Sequence, residues 1–276
     1  ANSLFPTTDD FIHGGDAAAW LKTAYALKAR YANRLSQRDA AGSATAALAA
    51  LANSYTGTGD DANMVFGPGN ALNQWYAYEQ SRGGYIRVSS TFVDELTSTS
   101  DPRLPVFCAM DPQGGYSGTP PDDTDMDSSS YVGAYYASEA SPIPLVSYVE
   151  MKFIEAEAKL RGGDAGGAAT AHNDAVKASI LQVTGAPDAT YEGTYASETA
   201  GTITLEKIMK QKWVALFIQC EAYSDWRRTG FPTLIPNVNG NTQTIPVRYI
   251  TPQNERLYNP NATVVGDLTM PVWWDN

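Results

Sequence analysis

The chain has 276 residues, with 30 acidic against 19 basic side chains and a net charge of −11 at pH 7. That length allows one large domain or two small ones with a real core, and the charge excludes the basic surplus that a nucleic-acid partner or an anionic leaflet demands. No apolar run is long enough to span a bilayer, and two cysteines, Cys108 and Cys220, cannot build a disulfide framework.

The chain begins at Ala1 without a methionine or a leader, so it reads as mature, trimmed or a fragment. A polar lead-in ends in FIHGGD, where Asp16 can cap a helix, and Trp20, Ala24, Leu27 and Tyr31 follow at helical spacing to about Ser36. An alanine-rich helix over Ala44–Ala52 comes next, its small side chains suited to close helix packing. From Asp60 to Pro144 the periodicity fades among glycines, prolines and the tract GGYSGTPPDDTDMDSSS, and only Thr91–Leu96 suggests a helix. So long an irregular insert points to function. It carries Trp75, Tyr76, Tyr78, Tyr85, Tyr116, Tyr131, Tyr135 and Tyr136.

Order returns at Ser147, which with Glu150 forms a capping box before Val149, Phe153, Ala156 and Leu160 mark a buried face. Gly162 and Gly163 end that helix and Asp164 opens the next. Ala156, Ala168 and Ala175 match the small-residue spacing of a tetratricopeptide repeat. The stretch Thr204–Pro232 then predicts one long helix, with Leu205, Met209, Trp213, Leu216, Cys220 and Tyr223 as its stripe and Cys220 as a buried, inert thiol. Arg227 and Arg228 read as C-terminal capping groups, paired with Glu221 or Asp225, and Gly230 and Pro232 stop the helix. Six prolines after Phe231 predict a helix-free tail that folds back and buries Trp273 or Trp274. The fold class is mainly α: tetratricopeptide-type hairpins with a long irregular insert, about 60–144, and an irregular C-terminal tail.

Motifs for chemistry are scarce. His13 and His172 stand apart, and His172 reads as core packing. No zinc spacing, nucleophile elbow or phosphate loop is present. The run Asp122–Asp127 resembles the start of a calcium loop, but Ser128 replaces the turn glycine and Ala134 the bidentate acid, so a solvated loop is expected. Glu155 and Glu157 lie two apart on a helix and face different ways, which does not make a hydrolytic pair. No metal and no cofactor are expected. The aromatic balance is more telling: 16 Tyr and 6 Trp against 8 Phe suits amphipathic ligands such as sugars, whose C–H faces stack while their hydroxyls hydrogen-bond.

The stretches FIHGGDAAAWLKTAYALKARYANRLS at Phe11, DPRLPVF at Asp101, YVEMKFIEAEAKLRGGD at Tyr148 and KQKWVALFIQCEAYSDWRRTGFP at Lys210 together resemble the SusD/RagB family of outer-membrane glycan-binding lipoproteins of Bacteroidetes. The resemblance implies one SusD-like domain over 1–276, built as an α-α superhelix. It implies a non-catalytic protein on the outer surface that holds an oligosaccharide for a SusC-like TonB-dependent transporter. Family members are longer and carry an N-terminal lipid anchor, the only membrane attachment implied; this chain looks like the C-terminal part. Cys220 departs from the small residue expected there. On this reading Trp75, Tyr78 and Tyr85 are stacking platforms, and Arg82, Asn73 and Gln74 are hydrogen-bond donors. A helical glycan hydrolase and a peptide-binding or purely transporter-directed scaffold are the alternatives.

Overall fold

The computed structural model describes residues 9–123, 128–237, 239–240 and 243–275. Helix α1 (Ala17–Arg34) starts where Asp16 accepts the amide hydrogens of Ala18 and Ala19, and α2 (Ala40–Leu51) where Asp39 accepts that of Gly42. Strand β1 (Ala62–Met64) follows. Next come α3 (Gln74–Ser81), α4 (Ser90–Ser98) and two single turns, α5 (Leu104–Phe107) and α6 (Ala134–Ala137). Strand β2 (Ile143–Val146) pairs antiparallel with β1, so this short ladder closes the base of everything between them.

Helices α7 (Tyr148–Arg161) and α8 (Ala165–Thr184) form the second hairpin, capped by Ser147 and Asp164. The capping box is half formed: Ser147 Oγ accepts the Glu150 amide hydrogen at 3.2 Å, but the Glu150 carboxylate turns to Arg30 instead. Helix α2 packs on α7, joining the two hairpins. Ala156, Ala168 and Ala175 are all fully buried, where small side chains let α7 and α8 approach. Ala26, Ala29, Ala44 and Ala47 serve the first hairpin in the same way.

After α9 (Ala189–Tyr195), the long helix expected over Thr204–Pro232 is two helices, α10 (Leu205–Ala215) and α11 (Cys220–Thr229). The break falls at Leu216–Gln219, with Ile218 at a φ of +65°. A β-branched residue seldom adopts that left-handed conformation, and holding it costs on the order of 1–3 kcal/mol. The break re-phases the stripe. Helix α11 buries Ser224, Asp225 and Arg228 rather than its apolar residues, which leaves Cys220 exposed and Tyr223 42% exposed. Gly230 ends α11 in the left-handed region, as its sequence position suggests.

The arginines do more than cap. Arg228 lies buried between Glu157 and Asp225, donating to Asp225 Oδ1 at 2.8 Å and Ser36 Oγ at 2.8 Å, with Glu157 held against it. Arg161 also pairs with Glu157, and Lys212 reaches Asp225 at 2.6 Å. Burial alone would raise the Glu157 carboxyl, but Arg228 and Arg161 outweigh it and hold it below its ordinary value. Asn33 of α1 donates to Glu157 Oε2 at 2.8 Å, so the cluster ties α1, α7, α10 and α11 together.

Beyond Phe231 the tail packs on α11. Arg227 donates to Val247 O at 2.9 Å and lies 4.6 Å from the Trp274 ring, while Trp273 stays 67% exposed. The tail is not free of helix: α12 (Gln253–Tyr258) fits between Pro252, which precedes its first turn, and Pro260.

Candidate functional site

Helix α3 was invisible to periodicity because it buries no residue fully. Its start is set by Asn73, whose Oδ1 accepts the amide hydrogens of Trp75 and Tyr76 at 2.9 and 3.2 Å, while Nδ2 donates to Ser141 O at 2.6 Å. Asn73 is fully buried and spends both ends of its amide inside the fold, so it places the helix and is not itself presented to solvent. Gln74 is exposed beside it.

Directly after Gln74, Trp75 faces a groove of 270 Å³ that it shares with Ile86, Arg87, Phe92, Trp213 and Phe217. The floor is an aromatic stack. Phe92 lies flat on Phe217 with centroids 4.4 Å apart, and Trp213 meets Phe92 edge-on at 5.1 Å. Tyr131 fixes Trp75 from behind, its hydroxyl donating to Trp75 O at 2.6 Å, and burial pushes that phenol up to about 12. Arg87 reaches Glu79 at 3.2 Å and lies over the Tyr131 ring at 5.6 Å.

The loop after α3 is pinned at Val88, whose N–H donates to Ser130 O and whose carbonyl accepts from Thr119 N, both at 2.9 Å. At that crossing a Cβ on Gly118 would stand 2.3 Å from the Ser90 backbone, so only glycine lets the two segments meet. The pinned loop projects Tyr85, 64% exposed, with the exposed Arg82 guanidinium 6.0 Å from its ring centre. Tyr78 is 37% exposed. Arg82 has no carboxylate within ion-pair reach among the described residues.

Thus Trp75 enters the groove, Arg82 and Tyr85 meet, Tyr78 and Gln74 stand in solvent, and Asn73 supports from within. Other aromatics of the segment anchor it: Tyr135 and Tyr136 pack on Phe107 at 6.5 and 5.8 Å. Sequence reasoning missed Arg87 and Phe217 as groove residues and took Trp213 only as helix stripe. It also undervalued DPRLP. Arg103 is wholly buried, donating to both Asp101 oxygens at 2.9 and 2.6 Å and to Ser179 Oγ and Gln211 Oε1 at 2.8 and 3.1 Å. That one guanidinium ties the segment between the strands to α8 and α10.

Glu155, Glu157 and the two histidines, the groups weighed for chemistry, are engaged within the fold. Glu155 pairs with Lys152 and Lys159 at 2.7 and 2.6 Å. His172 donates through Nε2 to Tyr195 O at 3.2 Å, and burial lowers it to about 4, so it is neutral at pH 7. Among the described residues no group of three acids, histidines or cysteines is placed to hold a metal; Asp125 and Asp127 of the acidic run lie outside them. No described helix is long and apolar enough to cross a membrane.

Stacked hairpins bearing an aromatic groove define a helical-repeat scaffold with one specialised surface. The chain belongs to the SusD-like family described as starch-binding and associating with the outer membrane, whose model matches residues 1–252. Among solved structures it is similar to a chitin-binding protein at 27% identity, with a TM-score of 0.79 over 97% of this chain and 67% of the other. A SusD/RagB family protein from Bacteroides thetaiotaomicron matches at 25% identity and TM-score 0.74, over 98% and 67%. A chitin-binding SusD homolog from Flavobacterium johnsoniae shares the fold at 24% identity and TM-score 0.81, over 97% and 66%. The chain therefore spans about two thirds of the length of these structures. No curated protein matches.

Proposed function

We propose that this chain captures a neutral oligosaccharide without altering it, on the surface made by α3, the loop after it and the adjoining groove. Trp75, Tyr78 and Tyr85 are the stacking platforms, Arg82 and Gln74 donate hydrogen bonds, and Asn73 holds the helix in place. The carrying observation is the pairing of a 64% exposed Tyr85 with an Arg82 that has no acidic partner among the described residues, beside a preformed aromatic groove. Rigid, pre-positioned rings bind with little ordering cost. The family description supports starch-type glucans, and the relative at 27% identity supports chitin-type chains; both are uncharged.

In this reading residues 1–276 act as one SusD-like unit whose segment 60–144 holds the ligand. The unit faces outward from the outer membrane and hands the glycan to a SusC-like TonB-dependent transporter. Affinity electrophoresis through gels containing soluble starch or glycol chitin tests the capture step. The wild-type chain is retarded, and Trp75→Ala/Tyr78→Ala runs as in a blank gel. Equal retardation of the two proteins removes the assignment.

A further inference from the structure

A second hollow of 410 Å³ lies on the other side of the α10–α11 break, among α6, β2, α7 and α8. It differs from the groove in chemistry. Among the described residues no charged side chain lines it, and its polar groups run from the buried Ser141, Ser147 and Ser179 to the partly buried Asn63, Gln182 and Gln219. Ser147 and Ser179 are 5% and 1% exposed. Ser147 Oγ already accepts the Glu150 amide hydrogen, and Ser179 Oγ accepts from Arg103 Nη1 at 2.8 Å, so each hydroxyl has its own hydrogen left to donate. Opposite in character is Gln219, whose Oε1 is buried without a hydrogen-bond partner. Tyr135 and Tyr136, edge to face at 4.7 Å, form an aromatic wall.

Gln219 lines both this hollow and the outer groove, and it is set there by the strained backbone at Ile218. An unpaired buried carbonyl oxygen is costly, and this one belongs to a residue lining the hollow, where a ligand can reach it. The ligand that fits two free hydroxyl donors, the Gln219 acceptor, the side-chain amides of Asn63 and Gln182, a ring wall and no charge is neutral, hydroxyl-rich and compact. An anion would find no cation, and an apolar group would leave Gln219 Oε1 unpaired. The volume falls in the lower part of the range of small-molecule sites.

We propose that this hollow is a second binding site that takes one neutral hexopyranose ring, either free or as the end of a glycan held in the outer groove. The choice of a sugar among hydroxyl-rich ligands rests on the capture function proposed above. Entry is past Ala134 and Pro142, the exposed residues of its lining.

The test is saturation-transfer NMR and calorimetry with D-glucose, D-galactose, D-mannose and N-acetyl-D-glucosamine. It compares the wild-type chain, Ala134→Trp at the exposed mouth, Gln219→Leu inside, and Lys159→Ala as a distant control. At least one sugar binds the wild type and Lys159→Ala alike, and its affinity falls tenfold or more in Ala134→Trp and in Gln219→Leu. Should Gln219→Leu fail to fold, Ala134→Trp carries the result alone, because that position is exposed. Absence of binding by all four sugars, which would mark a hollow that takes only water, overturns the proposal; so does binding that survives Ala134→Trp. Retention of the same wild-type preparation by starch or glycol chitin, measured in parallel, separates the two ideas. Retention without monosaccharide binding removes the inner site alone, and loss of both removes the capture function as well.

Discussion

In α7 and α11 the charges point inward: Glu157 and Arg228 are 0% and 3% exposed and clasp one another across the helical frame. Between β1 and β2 two aromatics point outward, Tyr78 and Tyr85, 37% and 64% exposed. The usual distribution is inverted in both places, for different reasons. Buried ion pairs gain little over apolar packing, but they punish any wrong register, which suits hairpins made largely of interchangeable alanines. Exposed rings add little to folding, but they are placed to stack on a ligand. Frame and segment meet at Arg103, a buried cation that serves both.

The sharpest break of this comparison is Arg228→Ala. It leaves Glu157 with Arg161 and Asp225 with Lys212, each short of its second cation, so urea unfolding should show a loss of about 3 kcal/mol. A loss under about 1 kcal/mol would mean that apolar packing, not the ionic cluster, sets the frame.

Next in size is a pair of opposed pH effects. Burial pushes Asp61 up to about 6 from 3.8, so the native state holds its proton longer than the unfolded chain does. Its contribution is present below pH 4 and is lost as pH rises through 6. His172, lowered by burial from 6.5 to about 4, acts the other way: its contribution is full above pH 6.5 and is lost as pH falls toward 4. Relative to wild type, Asp61→Asn should therefore gain about 3 kcal/mol in unfolding free energy between pH 4 and 6.5, and His172→Phe should lose a similar amount. Parallel pH profiles for all three proteins would show that neither group titrates as the fold implies.

A smaller effect belongs to the outward rings. Tyr85→Ala should weaken oligosaccharide binding about tenfold, about 1.4 kcal/mol, and change stability by no more than about 0.5 kcal/mol. Smallest of all, Lys159→Ala removes a surface pair with Glu155 and should shift stability by under about 0.5 kcal/mol, with binding unchanged.

Much of the frame was legible because caps and stripes agree: Asp16, Ser147 and Asp164 announce their helices, and the alanines of α7 and α8 fall where the helices touch. The break before Cys220 was not. Trp213, Leu216, Cys220 and Tyr223 keep a regular apolar spacing, yet α11 turns its Asp225–Arg228 face inward, and periodicity of apolar residues cannot see an ionic interface. Helix α3 escaped for the opposite reason, having neither a buried nor a charged stripe; only Asn73 before Gln74 signalled it. The aromatic content of the segment was plain, but division of its rings between anchors such as Tyr136 and exposed platforms such as Tyr85 depends on contacts formed at long range.

The claim that binding resides on the segment and stability in the frame is tested most directly by calorimetric titration of Trp75→Ala/Tyr85→Ala with maltohexaose and chitohexaose beside the wild type. The wild type binds at least one hexasaccharide, and the double variant binds it at least a hundredfold more weakly. Wild-type affinity in the double variant would contradict the account.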